Sequence, residues 1–378
     1  MRLPVWPFPF LICLTTSRAL AGGGAAIGAY EGVRDDAVVD LHALADVYVE
    51  EDFNAPSSHA TQLHAFDTHT NAPSLGILRL TAAHVPELFG FRIDLAAGDL
   101  ADQYLHADPA STTNPDVSRT LSYLEQAFVT VKVPVGRGLA IDAGKFETPI
   151  GLEDNEATKN WSYSRSLLYL LAEPSFHSGV RVTYRPTETV GVSGYWINGW
   201  DANVLAGDGM RSFGAAVTWD PSEDVEAVVD YVGGLERAPT RLADPTLTMR
   251  DVVDGYVRVA LGKHASFACT ADYGHDAASG GVRFWGAGGY ARYAFAEWLA
   301  ASVRGEHYDD ADGFTSGTKQ RLAELTTTLE ARDTVGVLGL MSRLEFRRDQ
   351  SDVPFFQTSS PRLSLRQDTV SLSLLAAF

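Results

Sequence analysis

The chain has 378 residues, of which 45% are hydrophobic, and its formal net charge is −18 at pH 7. This acidic balance excludes a nucleic-acid-binding protein, because phosphates require a basic surface. After residue 21, no uncharged stretch reaches the roughly 20 residues that a membrane-spanning helix needs, which excludes a helical inner-membrane protein as well.

The N-terminus has the pattern of an export signal. Met1 and Arg2 precede an uncharged run over residues 3–17, and Ala19-Leu20-Ala21 forms a small-x-small cleavage site. Residues 1–21 are therefore predicted to be a signal peptide, with cleavage after Ala21.

The exported part is interpreted as a single domain that covers residues 22–378, because no linker-like stretch divides it. Cys269 is its only cysteine, so an internal disulfide cannot hold the fold together. Residues 22–39 are small and polar and predict a flexible periplasmic start.

Short segments of alternating apolar and polar residues follow, joined in turn by a tight turn and by a longer polar loop. In the first segment, Leu41, Val47 and Val49 lie on one face and Asp46 and Glu50 on the other. This alternation is typical of a membrane barrel, whose outward side chains meet lipid and whose inward side chains meet water. The predicted strands are residues 40–53, 75–84, 90–98, 121–134, 139–148, 179–185, 189–200, 211–219, 225–236, 249–262, 266–276, 282–295, 298–309, 319–332, 335–349 and 363–378.

These segments predict an all-β fold, a transmembrane antiparallel up-and-down β-barrel of about 16 strands. A barrel of this size has a water-filled lumen, whereas one of about 8 strands is filled by its own side chains. The last strand ends in Phe378. Outer-membrane barrels commonly end in such a strand, which their assembly machinery recognises; the alternative is a buried edge strand that ends in Phe.

The longest interruption of this pattern lies between the fifth and sixth predicted strands. Residues 149–178 lack strand alternation but contain Trp161, Tyr163 and Phe176 together with a run of leucines. This content is too apolar for a solvated linker, and loops of this length in a compact domain are usually functional. We predict that the loop folds into the barrel, with a short helix within residues 161–171.

The residues around this loop carry a family resemblance. They read Lys145-Phe146-x-Thr148-x-x-Gly151-x-Glu153, then Asn160-x-x-Tyr163-Ser164-Arg165-Ser166, then His177-x-Gly179-Val180-Arg181. This order resembles the beta-barrel porin-2 family, called OmpL-like, over about residues 40–201. The resemblance implies a channel for small solutes in the outer membrane of a Gram-negative bacterium, with no substrate established for the family. Porins of this size are often trimers, which implies a homotrimer, and the third external loop of 16-stranded general porins narrows the barrel.

A constriction needs charged groups that face water. The candidates on the loop are Glu153, Asp154, Glu156, Lys159, Arg165 and Glu173. The candidates of inward parity on the wall are Arg79, Arg92, Arg181, Arg185, Arg258, Arg292, Arg304 and Arg343. An acidic loop opposite a basic wall would set a transverse field across the pore. The alternative is that these charges pair across the lumen without marking a site.

Inward acids are also frequent, which favours weak ion selectivity. They are Asp46, Glu50, Asp94, Asp230, Asp254, Asp272, Glu324, Glu330 and Glu345. A channel selective for one solute class, in which the arginines bind phosphate or carboxylate, remains the second hypothesis.

No catalytic residue, metal site or cofactor is predicted. His177 lies beside Ser175 and Ser178, but sequence neighbours rarely have the geometry of a base and its nucleophile. His59, His64 and His69 have no metal-ligand spacing and are expected to be solvated loop residues. An enzymatic barrel and a non-conducting structural or adhesive barrel are the rival classes. The expected partners are outer-membrane lipid, small hydrophilic solutes and, through Phe378, the barrel assembly machinery.

Overall fold

Sixteen antiparallel strands form one closed barrel in the computed structural model, which describes residues 30, 33–34, 38–204, 212–237, 247–277 and 281–378. Each strand pairs with its neighbours in sequence, and β1 pairs with β16. The strands are β1 (Asp40–Asp52), β2 (Pro73–His84), β3 (Phe89–Ala97), β4 (Leu124–Val133), β5 (Leu139–Glu147), β6 (Phe176–Tyr184), β7 (Val190–Ile197), β8 (Ser212–Ser222), β9 (Val225–Arg237), β10 (Leu247–Leu261), β11 (Ala265–Asp276), β12 (Val282–Ala296), β13 (Leu299–Asp310), β14 (Gln320–Val335), β15 (Leu338–Ser351) and β16 (Arg366–Ala377). The predicted fold class and strand number are confirmed.

The helices are short and lie in the loops. They are α1 (Asp99–Ala107), α2 (Pro115–Ser122) and α3 (Leu167–Leu171), with 3-10 turns at Pro109–Thr112 and Ala157–Lys159. No described helix has the length and apolar character to cross a membrane. Pro115 occupies the first turn of α2, where its missing N–H costs no hydrogen bond. Because α2 ends only at Ser122, β4 begins at Leu124 and not at residue 121 as predicted.

Alternation along each strand separates a lipid-facing side from a lumen-facing side. In β1, Val47 is 42% exposed and its neighbour Asp46 only 1%. The outward faces carry large apolar side chains such as Leu80 and Val129, which contact lipid in a membrane. The inward faces carry charged and polar groups that are buried inside the barrel.

The ends of the chain close the barrel. Leu44 lies opposite Ala377, and the backbone N–H of Phe378 donates to the carbonyl of Ala43 at 3.1 Å. Near the N-terminus, the Tyr30 hydroxyl lies 2.7 Å from the hydroxyl of Thr130 on the lumen face. The predicted signal peptide, and all but a few residues of the predicted flexible start, lie outside the described residues.

Candidate functional site

The loop between β5 and β6, residues 148–175, is here called L3. None of residues 149–178 is exposed; each is buried or half-buried. Leu167 and Leu168 pack with Val252 and Phe284 from the wall, and Tyr163 packs in a second cluster with strand residues of β1 and β16. L3 therefore lies inside the barrel. β6 begins three residues earlier than predicted, at Phe176.

The first part of L3 is a compact turn held by its own polar groups. The Asp154 N–H donates to the side-chain oxygen of Asn160 at 2.9 Å, and the Asn160 amide donates back to the Asp154 carbonyl at 2.7 Å. Lys159 pairs with the Asp154 carboxylate at 2.9 Å. Burial acts to raise the pKa of Asp154, but the Lys159 charge and the hydrogen bonds hold that pKa below its usual range. The side chains of Asp154 and Lys159 therefore stabilise the conformation of this turn.

The predicted helix over residues 161–171 is restricted to α3. The backbone N–H groups of Tyr163 and Ser164 donate to the Glu345 carboxylate at 2.6 and 3.0 Å, and these hydrogen bonds fix the preceding turn outside helical geometry. Ser166 then caps α3, because its hydroxyl accepts from the Tyr169 N–H at 3.0 Å. Polar groups of the wall thus determine where the helix begins.

Two predicted wall arginines anchor the middle of L3. Arg304 pairs with Glu153 at 2.9 Å and donates to the Ser164 carbonyl at 2.7 Å, while Glu324 lies on its other side at 3.2 Å. Arg343 pairs with Glu330 at 2.7 Å and donates to the carbonyls of Ala157 and Asn160. Both guanidinium groups are buried.

Two further predicted arginines contact L3 from other strands. Arg79 on β2 pairs with Glu156 at 2.7 Å and with Glu125 at 2.5 Å. Arg258 on β10 donates to the Leu152 carbonyl at 3.0 Å. L3 is therefore fixed from β2, β10, β13 and β15, strands that lie on widely separated parts of the wall.

The other four predicted arginines pair with acids of the wall itself. Arg92 bonds Asp94, Arg181 bonds Asp142, Arg292 bonds Glu330 and Arg185 bonds Asp220, at distances of 2.7 to 2.9 Å. Arg185 and Arg292 are half-buried, whereas Arg92 and Arg181 are buried. These partners lie on the same or nearby strands or in the connecting turns and not across the barrel.

Several residues that hold L3 were absent from the predicted site. Arg347 donates to the Arg165 carbonyl at 2.6 Å and to the Leu63 carbonyl at 2.9 Å. Glu306 accepts from the Leu167 N–H at 2.8 Å, and Asp201 from the Ser175 N–H at 2.6 Å. Arg347 has the same strand parity as Arg343, so alternation along β15 contained the signal for it.

The loop between β1 and β2 contains a buried histidine, His64. His64 lies 2.8 Å from Asp67 and 3.4 Å from Glu50 and is fully buried, unlike the exposed His59 and His69. The prediction that all three are solvated is therefore wrong for His64. Burial acts to lower the pKa of His64, but the two carboxylates outweigh it and raise that pKa to about 10.

The lumen wall also carries a row of aspartates. Asp230, Asp254 and Asp272 lie directly opposite one another on the adjacent strands β9, β10 and β11. A cleft of about 10 Å³ lies between Leu152 and Trp161 of L3 and Tyr290 of the wall, which is room for about one water molecule. L3 therefore packs closely against this part of the wall.

The family model described as "Putative beta-barrel porin-2, OmpL-like" matches residues 39–378. No curated protein matches the sequence. The structure is similar to the outer membrane channel DcaP of Acinetobacter baumannii, with a TM-score of 0.58, 10% identity, and coverage of 90% of this chain and 97% of that chain. It is also similar to the trimer form of OmpT from Vibrio cholerae, with a TM-score of 0.57, 11% identity, and coverage of 90% and 99%.

A third similar structure is the anion-selective porin from Comamonas acidovorans, with a TM-score of 0.54, 11% identity, and coverage of 90% of this chain and 99% of that chain. At these identities the solved structures establish the fold. The family match extends over nearly the whole barrel. The chain therefore belongs to the OmpL-like beta-barrel porin-2 family, and it is an outer-membrane channel protein.

Proposed function

We propose that this channel conducts small hydrophilic solutes and ions by passive diffusion, and that L3 is its constriction. The observation that carries the proposal is that none of residues 149–178 is exposed and that they lie inside a barrel whose inward faces are polar. The four wall arginines that bind L3 keep it in place, so the width of the pore depends on this loop.

Conductance in planar lipid bilayers tests the role of L3. Wild-type protein should give small ohmic steps, and deletion of residues 153–171 should raise the single-channel conductance at least twofold. Deletion of the exposed residues 359–362 from the loop between β15 and β16 is the matched control and should leave conductance near the wild-type value. Unchanged conductance after the L3 deletion, in protein shown to be a folded barrel, would place the constriction elsewhere.

We further propose that the pore prefers cations weakly. Arg79, Arg304 and Arg343 are occupied by loop carbonyls and carboxylates, while Asp230, Asp254 and Asp272 have no ion pair within 4.0 Å among the described residues. Rings and rows of carboxylates favour cations in pores. Reversal potentials in a KCl gradient measure this preference. A strong anion preference would support the alternative channel for phosphate or carboxylate.

We also propose that the protein assembles as a homotrimer and that a signal peptide directs its export. The similarity to the trimer form of OmpT supports a homotrimer, which light scattering of the detergent-solubilised protein tests directly. The charged start, the apolar run and the cleavage site over residues 1–21 support export by a signal peptide. Protein isolated from outer membranes should then begin at Gly22, and a mature N-terminus at Met1 would contradict cleavage.

A further inference from the structure

Three aspartates form a row across the lumen wall. Asp254 on β10 lies directly opposite both Asp230 on β9 and Asp272 on β11, and the three side chains are 1 to 3% exposed. Like charges directly opposite each other destabilise a sheet. A buried row of this kind therefore needs something that compensates its charge.

L3 adds a fourth carboxylate to this row. Glu173 follows α3 near the end of the loop, and one oxygen each of Glu173, Asp254 and Asp272 lie within 4.8 Å of one another. Gly151 makes room for it: its φ is +101°, and a Cβ there would lie 1.9 Å from a Glu173 carboxylate oxygen. The two ends of L3 thus meet at the aspartate row.

In the described part of the chain, no basic side chain forms an ion pair with these acids. Among the described residues, none of Glu173, Asp254 and Asp272 has an ion pair within 4.0 Å, although ion pairs are frequent elsewhere in the lumen. One oxygen of Glu173, one of Asp254 and both oxygens of Asp272 are buried and accept no hydrogen bond. Unpaired carboxylates in such surroundings cost several kcal/mol each unless they bind a proton or a cation.

Residues around the cluster provide few partners for its carboxylate oxygens. Thr270 donates to Asp254, and of the neighbouring arginines on β10, Arg250 pairs with Asp276 and Arg258 donates one hydrogen bond to the Leu152 carbonyl. The Nε and Nη1 atoms of Arg258 are buried without a hydrogen-bond partner, and Arg258 forms no ion pair with Glu173, Asp254 or Asp272. Carboxylate oxygens without a hydrogen-bond partner are therefore buried where the end of L3 meets β10 and β11. Burial and the two aspartates raise the pKa of Glu173 well above its usual range while no cation is bound.

We propose that Glu173, Asp254 and Asp272 bind one divalent cation of the calcium class, which fastens the end of L3 to β10 and β11. Oxygens that all lie roughly 2.3–2.6 Å from a central Ca²⁺ are at most about 5 Å apart, which matches the observed spacing. A site made only of carboxylate oxygens suits a hard cation and not zinc, which favours histidine and cysteine. Water completes the coordination shell.

No metal site was predicted, because the histidines lack metal-ligand spacing and the three acidic ligands come from distant segments. Only the return of L3 to the wall brings Glu173 beside strands that follow it by some eighty residues or more. The test of the site is Ca²⁺ stoichiometry and not conductance, so the site stands even if another part of the barrel limits conductance.

The test uses the full-length protein in detergent, stripped with EDTA and dialysed against radioactive Ca²⁺ at pH 7.5. Wild-type protein should bind one more Ca²⁺ per chain than Glu173→Gln, and the Asp272→Asn variant should show the same loss. Glu226→Gln is the matched control, because it removes a half-buried acid at the start of β9 that is not one of the three ligands and should retain the full stoichiometry.

Heat-modifiable mobility on gels confirms that each variant is a folded barrel. Glu173 lies in L3 and outside the strands, so Glu173→Gln tests the site even if Asp272→Asn fails to fold. Ca²⁺ should also slow tryptic cleavage of L3 at Lys159 and Arg165 in wild type and not in Glu173→Gln. Equal Ca²⁺ stoichiometry in wild type and Glu173→Gln would overturn the proposal, as would an absence of saturable binding, which would mean that the acids are protonated.

Discussion

Buried arginines on the wall hold L3 by bonding backbone carbonyls and carboxylates at the same time. Arg343 shows this most clearly, since it pairs with Glu330 and donates to the carbonyls of Ala157, Asn160 and Ser162. A guanidinium group suits this role because its donors point in several fixed directions from one charge. The loss of such a group leaves its partners buried without compensation.

Arg343→Met should therefore lower the free energy of unfolding by about 3–5 kcal/mol, the usual cost of breaking a buried ion pair. Urea titration of protein folded in detergent micelles measures this value. Arg185→Met is the control: Arg185 is half-buried and pairs with Asp220 beside a turn, and exposed pairs contribute about 0–1 kcal/mol. Equal effects of the two substitutions would argue against a special role for Arg343.

His64 gives a pH dependence whose sign follows from its carboxylate partners. Its pKa in the folded protein is about 10, above the usual value of 6.5. The stabilisation from protonated His64 is complete below pH 6.5 and is lost as the pH rises towards 10. We expect His64→Gln to reduce the fall in stability between these pH values, measured by thermal unfolding. His59→Gln, at an exposed position, should leave the profile unchanged.

At the scale of elements, strand positions without a side chain allow close packing beside L3. Gly144 on β5 lies opposite Gly179 on β6. The φ of Gly144 is +142°, and a Cβ there would lie 2.1 Å from the Ala127 carbonyl oxygen. The two strands that carry L3 therefore depend on glycine at this level.

Gly144→Ala should reduce the yield of folded barrel several-fold, because the added Cβ collides with backbone that cannot move aside. Gly194→Ala on β7 is the matched control, since no atom lies within 4 Å of a Cβ at that position. The fraction of heat-modifiable protein after refolding in detergent measures both. Efficient folding of Gly144→Ala would show that β5 adapts locally.

At the scale of the whole molecule, closure depends on the C-terminal strand. β16 pairs with both β1 and β15, and the Phe378 side chain is 57% exposed on the barrel surface. A closed barrel leaves no unpaired strand edge in the lipid, where unsatisfied backbone groups are costly. An exposed terminal aromatic is also available to an assembly partner.

Removal of Phe378 should lower the amount of barrel assembled in the outer membrane, while refolding in detergent stays near wild type. Comparison of assembly in the outer membrane with refolding in detergent distinguishes recognition by the assembly machinery from the intrinsic stability of the barrel. Phe378→Tyr keeps an aromatic terminus and should assemble normally. Equal loss in both assays would mean that Phe378 acts only through barrel closure.

The alternation of apolar and polar residues by itself determined the number of strands, their order and the faces that meet lipid and lumen. This follows because side chains of a strand alternate with a period of two, so orientation is a local property. The parity of Arg79, Arg258, Arg304 and Arg343 was evident in the same way. The length and apolar content of the segment after β5 predicted an unusual loop.

Only the tertiary structure decided where L3 goes and what it touches. L3 has no periodicity, and its course depends on contacts with strands far away in sequence, such as those of Tyr163 with Glu345 and of Leu167 with Glu306. The meeting of Glu173 with Asp254 and Asp272 arises in the same way. Local sequence determines the direction of a side chain in a strand, but the partners of an irregular loop depend on closure of the whole barrel around it.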